Sequence, residues 1–368
     1  MWLYEQSDWP HFKWNAEALA FKLADVRYRQ GLLLGKMAGI GFDLKQEASL
    51  KTLTSDIVTS SAIEGELLNR EEVRSSIARR LGIDIAGLVP ASRNIDGFVE
   101  MMVDATHNFS RDLTEERLFA WHSALFPSGR SGMYKIAVGQ WRTPESGAMQ
   151  VVSGPVGREK IHFEAPHADK ISDEMAAFLN WFNSDITLDP VIKAGIAHFW
   201  FVTIHPFEDG NGRIARAITD MLLACADGIS ERFYSLSSQI EAERKDYYFQ
   251  LECQQKGTTD ITEWLEWFLD CLGRALERAE NTLKSIMYKT ELWSHLKQFS
   301  INERQRMIIN LMLDDSFEGY MNTSKYAKLT KCSNDTALRD IQELKVYGVF
   351  IQNIAGGRST SYRLRDPV

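Results

Sequence analysis

The feature that most constrains this chain is a long apolar run that ends abruptly at a glycine turn. The run VIKAGIAHFWFVTI leads directly into HPFEDGNGRIAR (205–216), and the stretch ARAITDMLLACA continues from it. Both flanking stretches have the apolar spacing of helices, and neither is long enough to cross a membrane. The chain is therefore expected to contain two helices joined by a short loop, with polar side chains at the amino end of the second helix.

The residues of this loop are those of an anion site. Gly210, Asn211 and Gly212 would expose backbone N–H groups at a helix amino terminus, where the helix dipole favours negative charge. Arg213 and Arg216 are three positions apart, so both project near the same side of the first turn and can bind phosphate oxygens. A plain turn between two helices would also account for each of these residues taken alone.

Two further side chains border the loop. Asp209 offers the hard oxygen ligand that Mg²⁺ takes beside a polyphosphate. His205 has an ordinary pKa of about 6.5, which suits a general base near neutral pH. A calcium loop is excluded because Arg213 and Ile214 stand at its fifth and sixth positions, where glycine is required at the sixth. A P-loop is excluded because the motif lacks Gly-Lys-Ser/Thr.

Taken in order, HPFEDGNGRIAR resembles the Fic family signature His-Pro-Phe-x-x-Gly-Asn-Gly-Arg-x-x-Arg, with every defining position matched. The resemblance implies a protein adenylyltransferase that moves AMP from ATP to a Ser, Thr or Tyr hydroxyl of a target protein or of itself, with Mg²⁺ as the cofactor. Some members of the family transfer UMP, phosphate or phosphocholine, so ATP is expected as the donor because most members use it.

The resemblance also implies roles for individual residues. His205 would deprotonate the target hydroxyl, and Asp209 would hold Mg²⁺. Arg213 would bind the inner phosphates of ATP, and Arg216 the γ-phosphate. The remainder of the phosphate cradle would be Gly210, Asn211 and Gly212.

Glu64 stands in the last turn of a helix predicted over 49–64, where the helix dipole disfavours a negative charge. A solvated glutamate before the helix-ending Gly65 would be one explanation. The stretch from Ser60 to Gly65 also resembles the Fic inhibitory motif Ser/Thr-x-x-x-Glu-Gly/Asn. That resemblance implies that Glu64 pairs with Arg216 and prevents productive seating of the γ-phosphate, or that it positions water for removing AMP.

The segment 129–166 is rich in Gly, Ser and Pro, and within it MQVV and KIHF predict a β-hairpin. The hairpin resembles the Fic flap, which aligns a target segment over the active site by strand addition. A surface hairpin with only a packing role is the alternative. The residues expected to dock the target are Val151, Val152, Ser153 and Gly154.

Tyr247 and Tyr248 lie on a predicted helix. Aromatic residues at helical spacing are usually part of the core. A similar pair in Fic proteins lies near the adenine, so the resemblance places both tyrosines among the ATP-binding residues, with core packing as the alternative.

The pattern along the whole chain predicts a mainly α protein. We expect a Fic-type helical core with a β-hairpin flap, an N-terminal helical region and a C-terminal winged-helix domain. The expected domains are 1–90 with the inhibitory helix, 91–285 with the catalytic core, and 295–368 with the winged helix.

The winged helix is predicted from the order of the last segments. INERQRMIINLML, TSKYAKLT and SNDTALRDIQELKVYG predict three helices, and two strands joined by Gly356 and Gly357 follow. The domain is only mildly basic, which is a weak footprint for DNA, and winged helices also bind proteins. The sequence therefore leaves both DNA and protein open as the partner of this domain. Of its basic residues, four lie in the predicted helix-turn-helix and two in the predicted wing: Lys325, Lys328, Lys331 and Arg339, and Arg358 and Arg363.

Charge and cysteine content exclude further classes. A net charge of −8 argues against a protein that coats nucleic acid. Four cysteines lie far apart without a C-x-x-C pair, which predicts reduced thiols, and the amino-terminal residues lack the pattern of a signal peptide. We expect a cytoplasmic protein without membrane contact, and leave its oligomeric state open, a homodimer included.

A transcriptional regulator that merely senses nucleotide is the alternative to an enzyme. In such a protein the winged helix would bind DNA and the phosphate loop would bind nucleotide. His205 and Asp209 argue against it, because sensing needs a phosphate loop but no base.

Overall fold

The computed structural model describes residues 1–85, 87–154, 158, 160–184, 187–313, 317, 319–353 and 360–366. In this part the chain is mainly helical, as predicted, and its strands form only small antiparallel pairs. The chain divides into two compact units, Met1–Ala279 and Glu280–Val368, and the division falls within one helix, α11. None of the described helices is both long and apolar enough to cross a membrane.

The first unit holds the helices that form the candidate site. Its helices are α1 (Ala16–Ala38), α2 (Phe42–Ile63), α3 (Arg70–Leu81), α4 (Arg93–His107), α5 (Glu115–Leu125), α6 (Ile171–Asn183), α7 (Pro190–Ile204), α8 (Asn211–Asp227), α9 (Leu236–Ala242), α10 (Arg244–Gln255) and the start of α11 (Thr262–Leu296). Its strands are β1 (Arg130–Ser131), β2 (Tyr134–Lys135), β3 (Gln150–Ser153) and β4 (Lys160–Glu164).

Helix α7 is the centre of this unit. Asp189 caps its amino end by accepting a hydrogen bond from the N–H of Val191, and Pro190 stands at the first helical position, where its missing N–H costs nothing. Every residue from Val191 to Ile204 except Lys193 is buried. A helix that is apolar on all sides belongs in a protein core. Helix α8 packs along it, so the loop between them is fixed at both ends.

Helix α2 lies against α8 and α9 and is longer than predicted. It begins at Phe42 rather than near Ser49, because Gly41 has the extended backbone of an N-cap and the intervening residues are compatible with a helix. Asp56, fully buried, accepts a hydrogen bond from the Ser235 hydroxyl beside α9 at 2.5 Å. These contacts hold the end of α2 over the amino terminus of α8.

The predicted hairpin is present as β3 and β4. Gln150 pairs with Glu164 and Val151 with Phe163, after which the register shifts by one residue. Phe163 is buried beneath the sheet, whereas Val152 is exposed, so the hairpin is anchored on one face only. Near its tip, His162 Nδ1 lies 2.6 Å from the Glu252 carboxylate of α10.

The second unit has the order of elements that the sequence predicts. It contains α12 (Glu303–Met312), α13 (Thr323–Thr330), α14 (Asn334–Val346), β5 (Phe350–Gln352) and β6 (Tyr362–Leu364). Residues Gly356, Gly357 and Arg358 of the predicted wing lie outside the described residues. The assignment as a winged helix, and the partner it would bind, stay predictions.

Candidate functional site

The loop between α7 and α8 is closed by its own asparagine. Asn211 Oδ1 accepts a hydrogen bond from the N–H of Phe207 at 2.9 Å, and its Nδ2 donates to the carbonyl of the same residue at 2.8 Å. Gly210 has φ +82°, the left-handed conformation that glycine adopts without strain. The Asn211 side chain therefore fixes the loop, and its two hydrogen bonds leave the backbone of the turn to face a ligand.

No side chain of α8 itself caps or neutralises its amino terminus, so this helix end can bind an anion. Its N-cap is Gly210, which has no side chain to cap the first N–H groups, and its first turn carries no acidic residue. Gly212 lies in this turn, and a Cβ placed on it would stand only 2.1 Å from Glu64 Oε1 of the preceding α2 segment. The glycine lets an anionic group lie directly on the helix end, and in this structure the group is the Glu64 carboxylate.

His205 ends α7 in a left-handed conformation, with φ 53°. Its Nδ1–H donates to the carbonyl of Val202 at 3.1 Å, since a carbonyl can only accept. Burial lowers the pKa of His205, a neighbouring Arg142 lowers it further, and the Val202, Glu64 and Asp209 interactions oppose the shift. The imidazole is therefore neutral at pH 7 with Nε2 unprotonated, which is the form that a general base needs.

Asp209 lies on the opposite lip of the loop. One carboxylate oxygen accepts from the hydroxyl of Ser131 in β1, and the other from the N–H of Gly210 at 2.5 Å. The side chain is 39% exposed. Within the described ranges, no group of three or more His, Cys, Asp or Glu side chains could hold a metal unaided. A single exposed carboxylate fits Mg²⁺, which takes one or two carboxylates and completes its shell with phosphate oxygens and water.

Arg216 is buried and held by the end of α2. Its Nη2 donates to Glu64 Oε1 at 2.7 Å and to the Ser60 carbonyl at 2.8 Å, and its Nε donates to the Ser60 hydroxyl at 2.7 Å. Burial is the largest single influence and would lower the pKa of Arg216, but the Glu64 carboxylate and the hydroxyls of Tyr247 and Tyr248 together outweigh it, so the pKa is raised. The residues Ser60 and Glu64 thus enclose a guanidinium that is 1% exposed.

Arg213, one turn nearer the loop, has a different acidic partner. Its Nη1 donates to Glu66 Oε2 at 2.9 Å, while the Asp209 carboxylate is farther, at 3.9 Å. The guanidinium lies over the Phe126 ring, 5.0 Å from its centroid. Both arginines of the signature therefore contact a carboxylate from the segment that follows α2.

The sequence profile of the Fic/DOC family matches residues 112–223, which contain the whole signature loop. The segment 112–223 is therefore a Fic/DOC domain. A second profile, a domain of unknown function (DUF4172), matches residues 2–83, which include α1 and α2.

Proteins similar to this chain include two from animals. It is 27% identical to protein adenylyltransferase fic-1 of Caenorhabditis elegans over 61% of this chain and 40% of the relative. It is 26% identical to protein adenylyltransferase Fic of Drosophila melanogaster over 60% of this chain and 41% of the relative. The matched region thus spans about two fifths of the length of these relatives.

Solved structures confirm the predicted mainly α Fic fold. A Fic family protein from Desulfovibrio desulfuricans G20 superimposes with a TM-score of 0.51 at 20% identity, covering 95% of this chain and 97% of that one. A Fic domain containing signaling protein from Bacteroides thetaiotaomicron VPI-5482 also gives 0.51, at 19% identity, covering 69% and 95%.

The tyrosine pair on α10 is divided between the core and the surface. Tyr247 is 2% exposed, and its hydroxyl donates to His198 Nε2 at 2.9 Å beneath α8. Tyr248 is 36% exposed, and its hydroxyl donates to the Ile63 carbonyl at 3.3 Å, directly before Glu64. Because Tyr247 is almost fully buried, only Tyr248 of the pair presents an exposed surface.

Sequence reasoning missed two side chains that hold the signature loop in place. His122, fully buried on α5, stacks on Phe207 at 4.2 Å and donates through Nε2 to the Asp209 carbonyl at 3.2 Å. Burial lowers the pKa of His122 to about 4, so it stays neutral. Arg142 donates through Nε to the His205 carbonyl at 2.8 Å and also bonds the Pro166 carbonyl. Nothing in the local sequence marks either residue.

Proposed function

We propose that this Fic protein transfers AMP from ATP to a hydroxyl side chain of a protein, releasing pyrophosphate. The observation that carries the proposal is the arrangement around the loop: an unprotonated His205 Nε2 on one lip, and on the other an uncapped helix terminus with two arginines. The names of the relatives from Caenorhabditis elegans and Drosophila melanogaster, both protein adenylyltransferases, support it.

His205 is the general base of this reaction. The target oxygen attacks the α-phosphorus while its proton passes to Nε2, and the bond between the α-phosphorus and the pyrophosphate oxygen breaks. The Nδ1–H bond to Val202 fixes the tautomer that accepts this proton. A positioned base contributes about 10²–10⁴-fold to the rate.

The phosphates are bound by backbone and guanidinium groups. The first-turn N–H groups of α8 bind the negative charge of the phosphates, and Arg213 and Arg216 pair with their oxygens. Asp209 is the residue that would hold Mg²⁺, which neutralises part of the triphosphate charge when it is bound. Because these groups are fixed by α7, α8 and His122, they stabilise the developing charge without rearranging.

Glu64 inhibits the enzyme by occupying the position that the terminal phosphate needs. Its carboxylate lies on Gly212 and pairs with Arg216, so the same guanidinium cannot also bind the γ-phosphate. The unfavourable position of Glu64 at the end of α2 is offset by the positive amino end of α8 and by Arg216. Nucleotide can seat fully only after this segment withdraws.

The hairpin of β3 and β4 docks the target. In the described part of the chain these strands form a two-stranded sheet, so the outer edge of β3 is open to pair with an extended segment. Val152, exposed on this strand, offers an apolar contact, and Val151, Ser153 and Gly154 supply the flanking backbone. The pairing places a target hydroxyl over the loop.

Labelling with [α-³²P]ATP tests the proposal. Protein is incubated with MgATP as wild type, Glu64→Gly and Glu64→Gly with His205→Ala, and a matched control carries His11→Ala in place of His205→Ala. We expect label in Glu64→Gly and in the His11 control, and loss of it with His205→Ala. Equal labelling with and without His205 would overturn the assignment of the base.

A further inference from the structure

Glu66, two positions beyond the proposed inhibitory glutamate, contacts the other arginine of the signature. Its Oε2 accepts from Arg213 Nη1 at 2.9 Å. Two further hydrogen bonds hold Glu66 in position for this contact. The N–H of Glu66 donates to the Ser61 carbonyl at 3.1 Å, and the Ser61 hydroxyl donates to Glu66 Oε2 at 3.3 Å. Both the backbone and the carboxylate of Glu66 are thus tied to the end of α2.

Arg213 is built to meet an anion at this position. The side chain is 8% exposed, and its guanidinium is packed over Phe126. Among the described residues its buried Nε has no hydrogen-bond partner, which leaves donor capacity that the protein itself does not fill. Glu66 is 44% exposed, so it covers Arg213 from the solvent side, where an incoming phosphate must also approach.

The turn at Gly65 brings both carboxylates onto α8. Gly65 has φ +84°, which reverses the chain at the end of α2 and points Glu64 and Glu66 at neighbouring turns of α8. Glu64 reaches Arg216, and Glu66 reaches Arg213, which is closer to the loop and to Asp209. The segment Glu64–Glu66 therefore presents two negative groups to the two cations that a polyphosphate would bind.

We propose that Glu66 occupies the place of the phosphates that ADP and ATP share, while Glu64 occupies the place of the terminal phosphate that ATP alone has. This inference rests on the proposed function for its assignment of Arg213 to the inner phosphates and Arg216 to the terminal one. It makes Glu66 a determinant of nucleotide affinity, and it makes inhibition a competition with the whole triphosphate.

Substitutions of the two glutamates are therefore expected to change the affinities for ADP and ATP differently. Removing Glu66 frees Arg213 and tightens the binding of ADP and ATP alike. A partly exposed ion pair is worth up to about 1 kcal/mol, which corresponds to about fivefold in the dissociation constant. Removing Glu64 leaves ADP binding within about twofold and tightens only ATP, because ADP has no phosphate to place at Arg216.

Isothermal titration of the full chain with MgADP and with MgATP tests this. The variants are Glu66→Ala, Glu66→Gln and Glu64→Gln, and Glu71→Gln is the matched control because Glu71 is an exposed carboxylate near by that contacts neither signature arginine. To prevent turnover, MgATP titrations use the His205→Ala background. Thermal unfolding of each variant verifies that the chain is folded.

We expect Glu66→Ala to bind MgADP about fivefold more tightly than wild type, Glu66→Gln to bind it more tightly than wild type, and Glu71→Gln to match wild type. An unchanged MgADP affinity in a folded Glu66→Ala variant would overturn the inference, as would an equal gain from Glu64→Gln. Binding does not depend on transfer. A shift in MgADP affinity without any AMP incorporation would keep the inference about Glu66 and refute the proposed function, whereas AMP incorporation with unchanged affinity would do the reverse.

Discussion

Replacing Glu64 by glycine should activate this protein, and the structure sets the size of the effect. The substitution removes the carboxylate that lies on Gly212 and pairs with Arg216. Since Gly65 already ends the helix with φ +84°, a second glycine does not disturb the fold of α2, which Asp56 and its partner Ser235 hold from one side.

The size of the rate increase follows from how deeply the pair of Glu64 and Arg216 is buried. Arg216 is 1% exposed and Glu64 31%, so the pair is shielded but not sealed from water. A hydrogen bond to a charged group in such a setting contributes about 1.5–3 kcal/mol. If that energy holds the site closed, its loss raises the rate of transfer by about 10- to 150-fold, because about 1.4 kcal/mol corresponds to tenfold. Glu64→Gln, which keeps an oxygen acceptor but no charge, should fall between wild type and Glu64→Gly.

The assay is the initial rate of AMP incorporation at saturating MgATP, measured for wild type, Glu64→Gln and Glu64→Gly. Glu71→Gln serves as the control for loss of one negative charge and should behave as wild type. Equal initial rates for wild type and Glu64→Gly would refute the argument that Glu64 blocks the site.

Three further predictions concern the base, the loop and the hairpin. In Glu64→Gly, the rate of transfer should fall as the pH drops below the pKa of an ordinary histidine and should stay constant above neutral pH. The reason is that burial lowers the pKa of His205, whose neutral form is the base. A pH–rate profile in which the rate already falls above pH 7 would contradict this. Asn211→Ala should lower the free energy of unfolding by about 1–3 kcal/mol, because it leaves the N–H and carbonyl of Phe207 without partners, and urea unfolding with an unchanged midpoint would count against it. Val152→Asp on the exposed strand β3 should raise the KM for a protein target without changing the KM for ATP, and the same substitution at exposed Val346, far along the chain, is its control.

Much of the site is predictable from the sequence because it is local. The signature loop lies within a dozen positions, and the helix that follows it is specified by its own apolar spacing. The pair of Glu64 with Arg216 is distant in sequence, yet it could be predicted because two short motifs resembled those of one family. Its 2.7 Å contact appears in the structure as that resemblance implies.

The remaining parts of the site depend on chain packing that no local pattern records. His122 reaches the Asp209 carbonyl only because α5 packs beside the loop, and the Arg142 contact with His205 joins two segments far apart in sequence. The partner of Glu66 is set by the turn at Gly65, whose direction depends on how α2 docks. These contacts arise from tertiary structure, and a lone histidine, arginine or glutamate gives no sign of them.

The tyrosine pair on α10 shows the same limit. Tyr247 and Tyr248 are adjacent, and apolar spacing cannot tell which of them faces inward. The structure separates them, because His198 on α7 bonds the hydroxyl of Tyr247 and the Ile63 carbonyl bonds that of Tyr248.

Intact-mass spectrometry of Glu64→Gly after incubation with MgATP shows which group the protein transfers. We expect the chain to gain the mass of one or more AMP groups through self-modification, and the gain to be absent when His205→Ala is added. A gain of the mass of a phosphate group in place of AMP would contradict adenylyl transfer, and an AMP adduct that persists without His205 would contradict the assignment of His205 as the base.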